Sequence, residues 1–168
     1  MHSSQRPSAS LVFLALLGAL VACRPEPAPL TAEQEAFIDL MQQLPVDGEF
    51  FSEEGVNETE PFIDVLFSMS EGNLAGYGLY PFVALSRGLA DRPQTQAYAV
   101  EHFEEIVHPQ LKLGWAMILF NEDAAPREVI VFLQNALEDR TQSNIAAEMG
   151  GPTFEDFESR VRIAYEEQ

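Results

Sequence analysis

The chain has 168 residues, with nine Lys and Arg against 27 Asp and Glu, a formal net charge of −18. That balance excludes nucleic acid as a natural partner, because phosphates must be met by lysine and arginine. A hydrophobic share of 46% excludes a disordered acidic tail and suffices for one domain with a real core, and the single cysteine excludes a disulfide within the chain.

The first ten residues, MHSSQRPSAS, carry one fixed positive charge, Arg6, and no acid. Leu11 to Ala22 is an apolar run of 12 residues. A membrane-spanning helix needs roughly 20, so the run has the proportions of a signal-peptide core. It closes on Leu20-Val21-Ala22-Cys23. These four residues resemble the lipobox of bacterial lipoproteins, and the resemblance is confined to this N-terminal segment. It implies cleavage between Ala22 and Cys23, a diacylglyceryl group on the Cys23 sulfur, and acylation of the new amino terminus. Two or three acyl chains anchor a protein stably, where one is marginal. An aspartate directly after the lipidated cysteine usually retains Gram-negative lipoproteins in the inner membrane. Arg24 stands there instead, so the resemblance implies the outer membrane if the source is Gram-negative.

Arg24-Pro25-Glu26-Pro27-Ala28-Pro29 cannot form a helix, since alternate residues lack a backbone N–H. It reads as a semi-rigid spacer. The expected organisation is a signal peptide over 1–22, a lipidated cysteine and proline-rich tether over 23–32, and an acidic helical domain over 33–168. Cleavage would remove Arg6 and no acid. Eight basic residues then face 27 acids, a net charge of −19 over 146 residues. Such a surface favours solubility and attraction of cationic partners.

Thr31-Ala-Glu-Gln34 is a capping-box pattern that opens the first helix. Phe37, Leu40, Met41 and Leu44 follow at helical spacing, and Pro45 and Gly48 end it. Residues 45–60 read as a carboxylate-rich loop. A second helix starts near Pro61, with Phe62, Val65, Leu66 and Met69 as its stripe. A third starts at Pro81, with Phe82, Leu85 and Leu89. A fourth starts at Pro93 and is expected to carry Val100, Phe103 and Val107 on its apolar side. Pro109 marks a fifth, whose segment Trp115 to Phe120 is apolar all round, the pattern of full burial. A sixth from Pro126 carries Val129, Phe132, Leu133, Ala136 and Leu137. A seventh runs from Thr141 to Met149. In the eighth Thr153 is the expected cap and Phe157, Val161 and Ala164 the stripe. No strand pattern competes, so the predicted class is all-α, either a compact bundle or a short αα-solenoid.

One internal similarity favours the solenoid. Leu85, Leu89, Asp91 and Arg92 match Leu133, Leu137, Asp139 and Arg140. Past Pro93 as a one-residue gap, Ala99 and Glu101 match Ala146 and Glu148. A helix ending in L-x-x-x-L-x-D-R, followed by a helix with alanine on its inner face, resembles a HEAT-type αα unit. The resemblance implies an aspartate bonding backbone or an arginine at the turn, and helix pairs that bury one face against their neighbours.

Little in the chain suggests chemistry. His102 and His108 are six residues apart, about 240° around a single helix, so they share no face. His102 with Glu105 supplies two metal ligands, too few for zinc. The loop 47–60 is rich in oxygen ligands but lacks EF-hand spacing. No nucleophile elbow, zincin motif or phosphate loop occurs. No catalytic, cofactor or metal residue is therefore assigned, and the chain is not expected to be an enzyme.

The expected function is an envelope lipoprotein held in the membrane through acyl chains on Cys23, binding another envelope protein. An acidic inhibitor or immunity protein against a cationic enzyme is the narrower alternative, and a metal-binding protein or enzyme centred on His102 is the third. The anchoring step is directly testable: Cys23→Ser should leave unprocessed precursor that takes up no labelled palmitate. Normal labelling of that variant would remove the basis of the localisation.

Overall fold

A computed structural model describes residues 29–43, 57, 60–74 and 80–167. The lipobox residues Ala22 and Cys23, and most of the 45–60 loop, lie outside the described residues. Every element within them is helical. α1 is Ala32–Gln43, α2 Ile63–Ser68, α3 Glu71–Leu74, α4 Tyr80–Ala90, α5 Pro93–Glu101, α6 Pro109–Asn121, α7 Arg127–Glu138, α8 Arg140–Gly150 and α9 Phe154–Glu166.

The helix starts follow local rules. At α1 the capping box closes both ways: the Gln34 N–H donates to Thr31 Oγ1 at 3.2 Å and the Thr31 N–H to Gln34 Oε1 at 3.1 Å. Proline occupies the first turn of α5 and of α6, where its missing N–H removes nothing. α8 is capped by Asp139, which accepts from the N–H groups of Thr141 and Gln142 at 3.0 and 2.9 Å.

α6 sits at the centre. It packs against α4, α5, α7 and α8, and Leu111, Leu113, Trp115, Ala116, Leu119 and Phe120 are all buried. Trp115 is fully enclosed, with the Phe67 ring edge-on at 5.4 Å. Its indole N–H has no hydrogen-bond partner among the described residues. Burying one large apolar side chain is worth about 1.5–3 kcal/mol, so this one helix accounts for a large part of the core.

From α4 to α9 every consecutive pair of helices packs together, α7 with α8 among the most extensive. Alternate helices also touch, α4 with α6, α6 with α8, and α7 with α9. The internal similarity falls on α4–α5 and on α7–α8, each of which packs as a pair. The two pairs stand three helices apart. They share local chemistry only in part. Ala99 and Ala146 are both fully buried, and Asp139 caps α8. Pro93 shifts the first turn by one residue, which puts Arg92, not Asp91, at the N-cap of α5 without a side-chain cap bond.

Other expectations shift locally. α5 stops at Glu101, and a 3₁₀ turn follows over Phe103–Glu105. The register breaks there: Phe103 is buried, but Val107 is 54% exposed, its N–H donating to the Phe67 carbonyl at 2.9 Å. Thr153 makes no cap bond, and its hydroxyl donates back to the Gly150 carbonyl at 3.0 Å. Ile38 and Ile130, absent from the expected stripes, are buried.

Trp115→Ala should cost about 3–5 kcal/mol, a large share of the roughly 5–15 kcal/mol that holds a domain. Trp115→Phe should cost less, because it keeps a six-membered aromatic ring in the core and removes an unpaired buried donor. Chemical denaturation checks both, and the single tryptophan should emit blue-shifted and resist acrylamide. Equal stability of the alanine variant and the wild type would overturn the central role of α6.

Candidate functional site

The structure separates the two histidines by role. His102 terminates α5, its N–H donating to the Tyr98 carbonyl at 2.9 Å. His108 begins α6 as its N-cap, with Nδ1 accepting from the N–H groups of Gln110 at 3.2 Å and Leu111 at 3.4 Å. They do not lie on one helix, so the angular argument about them falls away. Sequence reasoning missed the cap because histidine is not among the preferred N-cap residues. The signal was its place directly before Pro109.

His102 lies on a half-exposed ledge. Its ring stacks on Tyr98 at 4.2 Å, Tyr98 meets Phe67 at 5.9 Å, and Phe67 meets Trp115. Aromatic contact thus runs from the surface to the core. His102 Nδ1 comes within 3.0 Å of Glu105 Oε1, close enough for charge pairing but not aligned as a hydrogen bond. Burial pushes the Tyr98 phenol above its usual 10, and the carboxylates of Asp64, Glu105 and Glu101 add to the shift. Tyr98 therefore stays a neutral hydroxyl. Among the described residues no three His, Cys, Asp or Glu side chains come together as a metal site. Of the 47–60 loop, Asn57 and Glu60 are described, and both accept from the Arg92 guanidinium, Asn57 Oδ1 at 2.6 Å.

The charges divide into two populations. Most of the described basic side chains are held by the protein itself, Arg127 and Arg140 being exposed. Arg92 pairs with Glu60. Lys112 pairs with Glu104 at 2.7 Å and lies over the Phe103 ring at 4.8 Å. Arg160 lies over the Phe120 ring at 5.2 Å, Arg162 pairs with Glu158, and Arg87 donates to the Met149 carbonyl at 3.4 Å. Acids are distributed differently. Some stand where a helix favours them, such as Glu33, Glu35, Glu155 and Asp156 in first turns.

Many others stand at the wrong end. Asp91 follows α4, Glu101 ends α5, Glu122 and Asp123 follow α6, Glu138 ends α7, and Glu166 and Glu167 close α9, all exposed. No basic residue occupies the last turn of α5, α6, α7, α8 or α9. A helix C-terminus already carries about half a negative charge, and a carboxylate there is unfavourable by about 0.3–1 kcal/mol. The end of α6 adds to this. The Ala124 N–H donates to the Leu119 carbonyl at 2.8 Å and the Asp123 N–H to Phe120 at 3.3 Å, a Schellman termination whose left-handed position (φ 54°) is an aspartate where glycine is usual.

No family model, curated protein or solved structure matches the chain. Among the described residues no helix is long and apolar enough to cross a membrane.

The His108 cap makes the central helix acid-sensitive. Nδ1 can accept two N–H groups only when unprotonated. Burial pushes the imidazole below its usual 6.5, with the Glu71 carboxylate and a backbone hydrogen bond opposing more weakly. A lowered native value means the cap contributes fully above 6.5 and is lost as pH falls through that native value. An N-cap is worth about 0.5–2 kcal/mol. His108→Asn keeps a capping side chain that does not titrate, so its urea stability should fall less than wild type between about pH 7 and 5. Parallel stability–pH curves would remove this role.

Proposed function

We propose that the chain is a lipid-anchored lipoprotein of the cell envelope whose helical domain binds a basic partner protein and performs no catalysis. What supports the binding part is the position of the acids. Carboxylates at helix C-termini raise the energy of the fold, and most of the described basic residues are engaged elsewhere. A cationic surface docked there would offset that repulsion, and complementary charge of this kind also speeds encounter. Anchoring rests on the lipobox resemblance at Cys23, with the outer membrane as the destination if the source is Gram-negative. Inhibition of a cationic enzyme at the cell surface is the narrower form of the same reading. A metal site at His102 draws less support, since only Glu105 stands with it.

The test is a pull-down from membranes with the lipidated protein, eluted in salt steps and read by mass spectrometry. The expected partner is a basic protein released as screening shortens from about 10 Å at 0.1 M to about 3 Å at 1 M salt. A specific partner that is acidic, or that stays bound in high salt, would overturn the electrostatic reading.

A further inference from the structure

The last turns of α4, α6 and α8 meet around a cleft of about 280 Å³. Small-molecule sites commonly run to about 300–1,000 Å³, so the space suits one long side chain better than a cofactor. Its apolar wall comes from Met117, Ile118 and Met149, and its rim carries Asp91 and Glu122. Gly150 allows the close approach behind it: a Cβ there would lie 3.3 Å from Phe154 Cβ and 3.6 Å from Met117 Cε.

Two independent features set the sign of the ligand. Asp91 and Glu122 are exposed carboxylates facing one opening, against the single guanidinium of Arg87 on the same lining. Separately, three helices point their C-terminal ends at the cleft, each worth about half a negative charge. Arg87 shows what such an end attracts, since its Nη2 donates to the Met149 carbonyl in the last turn of α8. An apolar wall leading to a negative rim fits an aliphatic stem with a cationic head. Arginine suits it better than lysine, because a planar fork can engage a carboxylate and a backbone carbonyl together. Methionine-lined walls adapt to such a stem.

We propose that this cleft receives one arginine side chain of the basic partner, its stem against Met117 and Met149 and its guanidinium between Asp91 and Glu122. This rests on the acidic-surface reading above and assigns that surface a specific anchor point.

The experiment uses the mature lipidated protein in detergent, labelled with ¹³C at methionine methyls. The probe is Nα-acetyl-arginine methylamide, with the citrulline analogue as the uncharged control. The expected result is a saturable shift of the Met117 and Met149 methyls with the arginine probe and none with citrulline. The buried Met41 and Met69 should not move. Asp91→Asn combined with Glu122→Gln should weaken binding by about tenfold or more, while unchanged Met41 and Met69 signals show that the fold is intact. A silent cleft, an equal response to citrulline, or unaltered affinity in the double variant would each overturn the proposal. Poly-lysine in a parallel titration separates the two levels. Salt-sensitive poly-lysine binding with a silent cleft removes only the cleft assignment. No poly-lysine binding removes the acidic-surface reading as well.

Discussion

A helix that is apolar around most of its circumference must be covered around most of it. α6 carries Trp115, Met117, Leu119 and Phe120 around more than half of its circumference, and burying it dictates the arrangement of the rest. Four helices must surround it, and α4, α5, α7 and α8 do so. Those helices need only one apolar face each, which is why α7 and α9 show clear stripes and polar outer sides. The aromatic line from Trp115 through Phe67 and Tyr98 to His102 ties the α2 segment to the same centre. Even the start of α6 obeys the constraint, since its N-cap is a buried histidine and not an exposed serine or aspartate.

The surface follows a different logic. Core burial supplies tens of kcal/mol in gross terms, so a few acids at unfavourable helix ends, at about 0.3–1 kcal/mol each, are tolerated. Tolerance alone does not explain their recurrence. Basic residues would serve better in those last turns, and the chain has few to place. Most of the described ones are drawn to Glu60, Glu104, Glu158, the Phe120 ring or the Met149 carbonyl, and Arg127 and Arg140 stay exposed. The effect is a fold in which most described cations are engaged by the chain itself while many negative helix ends stay exposed.

How much of this was legible depends on whether one helix or several decided the outcome. Caps and prolines act within a turn, so Thr31–Gln34 and the proline starts of α5 and α6 could be read directly. The burial of Trp115 followed from its neighbours alone. Val107 could not be read, because the 3₁₀ turn after Glu101 changes the period and only the contact with Phe67 explains it. The repeat is legible only locally, for a similar reason. L-x-x-x-L-x-D-R is a local signature of a helix meeting a turn, and it recurs wherever that event recurs. Which helix lies beside which is settled by packing on α6, which no local match encodes. The cleft was invisible for the same reason, since Asp91, Glu122 and Met149 are far apart in sequence and meet only when α4, α6 and α8 stop at the same place.

That common stopping place is also where fold and charge converge. Hairpin pairing sends α4, α6 and α8 toward one end of the molecule, so their dipoles add there instead of cancelling. Glycine at position 150 lets Phe154 and Met117 close behind the opening, and Asp123 holds the left-handed turn that ends α6. Each of these choices is local, but together they concentrate negative potential at a concave, methionine-walled spot. An acidic protein with its charge spread evenly would attract cations without orienting them. Here helix ends and rim carboxylates focus the attraction on a cleft the size of a side chain, which gives position as well as affinity.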